Sequence, residues 1–267
     1  MTVIRTALFP TPTDLGNFAT VDTVKNGGVL LLLSLGFVPE DFAEFARSQP
    51  KEATILLADC YGILGTEAAT GRNREFMEQG RGQEYGGVGG NGGRGVTAAA
   101  IAGAVTDEAG PAPTNLIIAA HGKPRPQGSP CFGGVAKATW RWDREADRFV
   151  PTAGLRIGLP PDIKVGLRVF SGEPDPALAE LREAMPPDHR LAAVALFPCY
   201  MRGINYYGRD DVEPEAVARL LPGVPVFGMF CHGELGPPQQ ISGYDLGKAS
   251  ACSQHSMVTV AAFLAVP

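Results

Sequence analysis

The sequence has little charge and no long apolar segment, and each shortage excludes a class of protein. Charged residues make up 19% of the 267 residues, the net charge is −5, and lysine and arginine are dispersed along the chain. A basic surface for nucleic acid is therefore not expected. The apolar stretches, of which 257–266 is among the longest, are too short for a membrane-spanning helix, and the first residues lack a secretory signal. We expect a cytoplasmic protein without a membrane span.

Cysteine and histidine are also scarce. The chain has five cysteines, an odd number without any Cys-x-x-Cys pair, so the spacing indicates neither a disulfide framework nor a zinc knuckle. Its four histidines show no spacing typical of metal ligands. We therefore expect reduced thiols, as in most intracellular proteins, and no metal site.

Apolar runs, by contrast, are frequent, and in the first third they predict a strand, a helix and a second strand. Val29–Leu33 is a continuous apolar run, typical of a strand that is covered on both faces. Residues 39–41 begin a helix with a proline and two acidic residues, and residues 53–58 form the next apolar run. This order predicts a parallel pair of strands joined by a right-handed crossover.

The same order recurs near the C-terminus, with predicted strands at 191–197 and 224–229 on either side of a helix. The turns after the second strand of each unit, beginning at Cys60 and at Cys231, both fit Cys-x-Gly-x-Leu-Gly. The middle of the chain instead alternates apolar and polar residues, most clearly at 163–170, as antiparallel strands do.

These patterns predict an α/β fold of two pseudo-repeated β-α-β lobes, with largely parallel buried strands and an antiparallel middle section. We assign residues 1–110 to an N-terminal lobe and residues 111–267 to a C-terminal lobe of one compact unit. Open α/β sheets bind ligands outside the carboxyl ends of their strands, so both Cys-x-Gly-x-Leu-Gly turns are expected to face one crevice.

Residues 80–95 are very rich in glycine. A flexible loop is the favoured interpretation, because glycine at this density loses much entropy when it becomes ordered. The alternative is a phosphate cradle, since Gly87-x-Gly89 and Gly93-x-Gly95 both occur. No Lys-Ser or Lys-Thr follows them, however, and no strong strand precedes them, so the phosphate interpretation has less support.

The Cys231 turn carries the residue types of a nucleophile, a base and an orienting acid in Cys231, His232 and Glu234. Neighbours on an extended segment point to opposite faces, so Cys231 and His232 cannot easily meet, and a working dyad needs a partner from another strand end. Two interpretations stay open. One is a non-catalytic binding crevice, and the other is a cysteine-dependent hydrolase or transferase acting on an acyl or amide bond, whose thiol would have a lowered pKa.

Arg202 follows the predicted strand at 191–197, where its guanidinium could hold a carboxylate or phosphate through two hydrogen bonds. The alternative is a structural ion pair with Glu234. The predicted ligand-binding residues all follow buried strands, and they are Cys60, His121, Cys199, Arg202, Cys231, His232 and Glu234.

Three motifs in residues 194–236 resemble the C-terminal part of the FIST domain (F-box and intracellular signal transduction) family. They are Phe197-x-Cys199-x-x-Arg202-Gly203, Pro225-Val226-Phe227-Gly228 and Gly233-Glu234-Leu235-Gly236. Residues 29–65 resemble the N-terminal part of the family and residues 116–134 a middle segment, so the resemblance covers most of the chain.

This resemblance implies an intracellular sensory or substrate-recognition module that binds a small, amino-acid-like ligand and acts through a signalling or ubiquitin-ligase partner. Some bacterial members bind haem, for which His232 or His255 would be the candidate axial ligand. The segment before Val29 is too short for an F-box helical bundle. We therefore expect no F-box in this chain, so that any link to a ubiquitin ligase depends on another chain.

Overall fold

The structure is a computed structural model that describes residues 3–18, 21–79, 90–106, 112–122, 130–239, 242–245 and 252–267. The strands are β1 (Ile4–Phe9), β2 (Gly28–Leu35), β3 (Ala53–Asp59), β4 (Gly62–Thr66), β5 (Asn73–Met77), β6 (Gly95–Ala102), β7 (Val105–Thr106), β8 (Asn115–Ala120), β9 (Cys131–Ala136), β10 (Ala138–Asp143), β11 (Arg148–Thr152), β12 (Gly154–Gly158), β13 (Lys164–Phe170), β14 (Arg190–Pro198), β15 (Val226–Phe230), β16 (Glu234–Gly236), β17 (Ser253–His255) and β18 (Thr259–Val266). The α-helices are α1 (Val21–Val24), α2 (Ala43–Ser48), α3 (Pro174–Glu183), α4 (Ile204–Tyr207) and α5 (Val212–Leu220). Short 3₁₀ helices cover Pro12–Asn17 and Pro39–Phe42.

The strands form three six-stranded sheets with the same pairing pattern. The first sheet has the order β1-β6-β2-β3-β10-β11, the second β17-β16-β9-β8-β12-β7, and the third β13-β18-β14-β15-β4-β5. Each sheet has one parallel pair at its centre, which is β2/β3, β8/β9 or β14/β15. Every other neighbour in the three sheets is antiparallel.

The α/β prediction is wrong, because the chain is mostly β, with 48% strand and 17% helix. The two expected β-α-β units do occur, as β2–α2–β3 and β14–α5–β15. The error lies in what flanks them: β6 and β10 enclose the first pair and β18 and β4 the second, all in antiparallel pairing. A continuous apolar run indicates that a strand is buried on both faces, but it does not indicate the direction of the neighbouring strands. The sequence pattern therefore could not distinguish a parallel sheet from a parallel pair flanked by antiparallel strands.

Strands from both sides of residue 110 share sheets. In the first sheet β3 pairs with β10, and in the third sheet β4 pairs with β15. The division into lobes at residue 110 stays a prediction. The interpretation of residues 80–95 as a flexible loop also stays a prediction, because residues 80–89 lie outside the described residues and only 90–95 are described.

A central core lies between the three sheets. Leu31 from the first sheet, Ile118 from the second and Phe197 from the third belong to one cluster and are fully buried. On the outer faces, α2 covers the first sheet through Phe45, and α3 covers the third sheet through Leu178. Burying a side chain of this size contributes roughly 1.5–3 kcal/mol relative to its exposed state. The core therefore holds the central strands, and the loops at their ends, in fixed relative positions.

A disulfide bond joins Cys131 on β9 to Cys252, and their Cα atoms are 5.5 Å apart. Cys60, Cys199 and Cys231 are free and buried. The expectation of five reduced thiols is therefore wrong for this pair. The two residues are 121 positions apart, and they meet only because β16 pairs with both β9 and β17. Spacing along the chain could not reveal that contact.

We expect three thiols to react when protein purified without reductant is unfolded in guanidinium and titrated with Ellman's reagent, because three cysteines are free in the structure. Reduction before the titration should raise the count to five, the full cysteine content. The variant Cys131→Ser should give four without reduction, since Cys252 loses its partner. A count of five in the untreated protein would contradict the disulfide.

Candidate functional site

The carboxyl ends of strands from all three sheets meet at one place. The backbone N–H of Lys137, just after β9, donates to the carbonyl of Asp59 at the end of β3, at 2.9 Å. The N–H of His232, just after β15, donates to the carbonyl of Val135 on β9 at 3.0 Å. These two bonds connect the second sheet to the first and to the third. Residues that follow β3, β8, β14 and β15 are therefore neighbours, although they come from different sheets.

Four aromatic or imidazole side chains form a contiguous group here, which we call the ring cluster: Tyr61, His121, Tyr200 and His232. The rings of His121 and His232 stack with their centres 4.5 Å apart, and Tyr200 lies nearly parallel to His232 at 5.4 Å. The hydroxyl of Tyr61 is 2.8 Å from Nδ1 of His121. Each ring therefore contacts at least one ring from another strand end, with centre separations typical of attractive aromatic pairs.

A simple backbone rule places these rings. Three of the strand ends carry a cysteine followed by a ring: Cys60-Tyr61, Cys199-Tyr200 and Cys231-His232. Successive side chains of an extended segment point to opposite sides. The cysteine therefore turns into the protein interior, where all three thiols are buried, and the ring that follows it joins the cluster.

A pocket of about 530 Å³ opens beside the ring cluster. We call it the site pocket, and the described residues that line it are Cys199, Tyr200, Met201, His232, Gly233, Gln254, Ser256 and Met257. Its size falls in the range typical of small-molecule sites. Met257 is 48% exposed and has a φ of 60°, a left-handed conformation that a non-glycine residue rarely adopts and that is concentrated at functional sites.

The free thiols are in surroundings that oppose ionisation. Burial raises the pKa of the Cys60 and Cys231 thiols well above the ordinary value, and the carboxyl of Glu234 adds to this effect at Cys231. At Cys199, burial and then Glu234 raise the pKa to about 11. A nucleophilic cysteine requires a lowered pKa, because the thiolate is the reactive form. These thiols therefore do not support a cysteine-dependent enzyme.

Glu234 lies directly below the site pocket. It follows Gly233, which lines the pocket, and its side chain is fully buried. The backbone N–H groups of Val258 and Gly233 and the thiol of Cys199 interact with the carboxyl and partly offset the effect of burial on its pKa, yet neither carboxyl oxygen completes a hydrogen bond of good geometry. Burial raises the pKa of this carboxyl to about 8. A buried carboxyl group without partners is rare and calls for a functional explanation.

Arg202 is fully buried and engaged with its own chain. Its Nε donates to Glu213 at 2.7 Å, Nη1 to the carbonyl of Ser171 at 2.7 Å, and Nη2 to the carbonyl of Gly172 at 2.8 Å. Nη2 also contacts the hydroxyl of Tyr207. The ion pair expected with Glu234 is thus formed with Glu213 instead. With all three nitrogens occupied, the guanidinium has little capacity left for a ligand.

The structure therefore divides the seven predicted residues. His121 and His232 meet in the ring cluster, and Cys199 lines the site pocket with Glu234 beneath it. Cys60 and Cys231 are buried in the central core, and Arg202 belongs to a separate network. Sequence reasoning missed Tyr61, Tyr200, Gln254 and Met257. The repeated cysteine–ring pair was the pattern that could have identified the two tyrosines.

The residues present do not fit a haem. His255 Nε2 is 2.9 Å from the carbonyl of Pro237, to which it can only donate, so that nitrogen is not available to iron. The imidazole of His232 is stacked between Tyr200 and His121. If a nitrogen of this imidazole bound the iron, the porphyrin would collide with the edges of those two rings. Among the residues that the structure describes, no three acidic, histidine or cysteine side chains converge as metal ligands. No described helix is long and apolar enough to cross a membrane.

Comparison with known proteins links part of the chain to one named protein. No protein-family model matches the chain. F-box only protein 22 of Homo sapiens and F-box only protein 22 of Pongo abelii are each 32% identical to it over 94 residues. The similar segment covers 33% of this chain but only 23% of each relative. The similarity therefore concerns one segment of an F-box protein.

Proposed function

We propose that the chain is a FIST-type recognition module of the cytoplasm that binds a small ligand, such as an amino acid, in the site pocket. In this proposal the pocket senses or selects and does not catalyse, and its state is passed to a protein partner. The location supports it, because the pocket lies where the carboxyl ends of parallel strands meet, the position at which sheets with parallel strands commonly bind ligands.

The ring cluster is the observation that carries the proposal. Tyr61, His121, Tyr200 and His232 come from separate strand ends, and the fold brings them together beside a pocket of suitable size. Flat rings with one polar edge are well suited to a ligand site, since they offer an apolar face and an orienting hydrogen bond together. The raised pKa of the Cys199 thiol favours binding over thiol chemistry.

The proposed partner follows from the similarity to F-box only protein 22. That relative is named as an F-box protein. The corresponding role for this chain is to recognise substrates for a ubiquitin ligase. Because the shared segment is 23% of the relative, this link is proposed for the segment in common.

A ligand screen tests the proposal directly. We expect at least one member of a panel of amino acids, alkylamines, carboxylates and nucleotides to raise the melting temperature saturably, because a ligand that binds only the folded state stabilises it. The variant His232→Gln should weaken that ligand about tenfold, equivalent to about 1.4 kcal/mol, since His232 lines the pocket and stacks on two other rings.

His189→Gln is the matched control, because His189 pairs with Asp188 and is not among the described residues of the pocket. It should bind the ligand as the wild type does. An unchanged melting curve with every compound, or equal affinities of the His232 variant and the wild type, would contradict the proposed function.

A further inference from the structure

The charge around the site pocket points to a class of ligand. The described lining residues include no lysine, arginine, aspartate or glutamate. The acidic residue Glu234 adjoins the pocket, since it follows the lining residue Gly233 and its carboxyl lies against the lining residue Cys199. Among the described lining residues an anionic ligand would meet no lysine or arginine, and Glu234 would repel it once that group is ionised. A cationic ligand would instead give the buried carboxylate a partner of opposite charge.

Glu234 is also unusual in making no well-formed hydrogen bond within the fold. It is 0% exposed, and both of its oxygens are without a hydrogen-bond partner. Leaving such a group unpaired destabilises the folded chain, and more so if the group is charged. Another buried carboxylate, Glu213, shows how such a group is usually satisfied, with Arg202 and Thr259 both donating to it. Glu234 has the acceptor oxygens of such a site, but no described arginine or hydroxyl donates to them.

Cys199 connects the site pocket to Glu234, because it lines the pocket and its thiol lies against the carboxyl. Gly233 has no side chain, and a Cβ added there would lie within 2.2 Å of the Gln254 side chain, so the end of Gln254 fills that space. Gln254 is exposed on the three-residue edge strand β17. Gln254 pairs with Leu235, however, and Glu234 pairs with His255, so the side chain of Gln254 lies on the face of β16 opposite to Glu234, and a head group would approach the carboxyl past Cys199.

The remaining walls suit the body of a ligand rather than its charged head. Met201 and Met257 are thioethers that adapt to varied apolar shapes. Tyr200 and His232 present stacked rings at 5.4 Å, and aromatic faces attract cations as well as apolar groups. A cationic head with a short apolar tail would meet complementary groups at both ends.

We propose that the ligand of the site pocket carries a primary ammonium group, which Glu234 binds as a carboxylate while the tail of the ligand packs between Met201, Met257 and Tyr200. This inference rests on the proposed function and adds the chemical class of its ligand. A primary ammonium is preferred to a quaternary one because its N–H groups can donate to the two unpartnered oxygens.

Binding in this way changes the protonation of Glu234. Its pKa of about 8 keeps it protonated at pH 7, and the ammonium ion binds the ionised form. The carboxylic acid therefore gives its proton to the buffer as the alkylammonium ion pairs with the carboxylate, with no bond formed to the ligand. Close to one proton should be released for each ligand bound at pH 7.

Three six-carbon compounds that differ only in the head group test the inference: hexylammonium, hexanol and hexanoate. Isothermal titration calorimetry at pH 7, in two buffers of different ionisation enthalpy, gives both the affinity and the number of protons released. We expect hexylammonium to bind at least tenfold more tightly than hexanol or hexanoate, with release of close to one proton. Glu234→Gln should weaken hexylammonium at least tenfold and abolish the proton release.

The surface variant Glu180→Gln is the control for net charge, since Glu180 pairs with Arg168 on the surface and should leave the affinity unchanged. Circular dichroism establishes that the Glu234 variant is folded. If hexanoate or hexanol binds as tightly as hexylammonium, or if Glu234→Gln binds hexylammonium normally, the ammonium assignment is wrong while the proposed pocket stands. If no compound of this set or of the wider panel binds, both the assignment and the proposed function fail.

Discussion

Replacing Arg202 with methionine is expected to lower the free energy of unfolding by about 3–5 kcal/mol, the usual loss when one partner of a buried ion pair is removed. Arg202 is fully buried, and its Nε is 2.7 Å from Oε1 of Glu213. Methionine keeps the unbranched apolar stem of arginine and lacks only the charged end. The carboxylate, however, would stay buried without a cation, and the carbonyls of Ser171 and Gly172 would lose their donors. Urea unfolding followed by circular dichroism measures the change.

Arg219→Met is the matched control, because Arg219 forms an ion pair with Asp175 in which the arginine side chain is 57% exposed. Exposed pairs contribute about 0–1 kcal/mol, so this variant should unfold close to the wild type. Equal stabilities of the two arginine variants would contradict the structural role of Arg202 and would restore it as a candidate ligand clamp.

A double variant separates lost charge pairing from lost packing. Glu213→Gln in the Arg202→Met background removes the uncompensated carboxylate while keeping an acceptor for the hydroxyl of Thr259, which is 2.8 Å from Oε1 of Glu213. We expect the double variant to be more stable than Arg202→Met by about 0.5–3 kcal/mol, the range of coupling between contacting residues. Additive losses would show that the guanidinium acts mainly through packing.

The second large effect concerns pH. The pKa of Glu234 is about 8 in the folded chain against an ordinary value of 4.5, so between these values the native state binds more protons than the unfolded state. Stability linked to this group therefore falls as pH rises through that interval. Each unit of difference between the folded and unfolded pKa corresponds to about 1.36 kcal/mol. Above pH 8 the free energy of unfolding should therefore have fallen by about 3–5 kcal/mol.

Glu234→Gln should remove this dependence, because a glutamine cannot ionise. Near pH 5 the variant and the wild type should have similar free energies of unfolding, and at pH 9 the variant should be more stable by that margin. Urea unfolding across this range, with Glu180→Gln as a control at the surface, measures the divergence. Parallel curves for wild type and the Glu234 variant would mean that the carboxyl finds a partner, or stays solvated, in solution.

The parts of the fold that depend on neighbours in sequence could be predicted. The apolar runs located β2, β3, β14 and β15 and the loops after them, because a strand covered on both faces needs only its own residues to be recognised. The direction of the flanking strands depends on partners such as β18, which pairs with β14 but lies far along the chain. That information is absent from any local pattern.

The site shows the same division. That His121 and His232 lie together could be predicted from their positions after buried strands, and their role in ligand binding stays a prediction. The partners of Arg202 were not, since Ser171 and Gly172 belong to a different loop and reach it only in the folded chain. The pairing of Glu213 rather than Glu234 with that arginine likewise depends on where α5 packs.

Proton NMR of the four histidine rings tests the central claim, that the pocket beside the ring cluster binds a small ligand. Each compound of the panel is titrated into the unmodified protein while the imidazole C–H resonances are followed. We expect one compound to shift the His121 and His232 resonances together, with one dissociation constant, because their rings stack at 4.5 Å. The His189 resonances should stay fixed. Shifts confined to His189, or none with any compound, would contradict the claim.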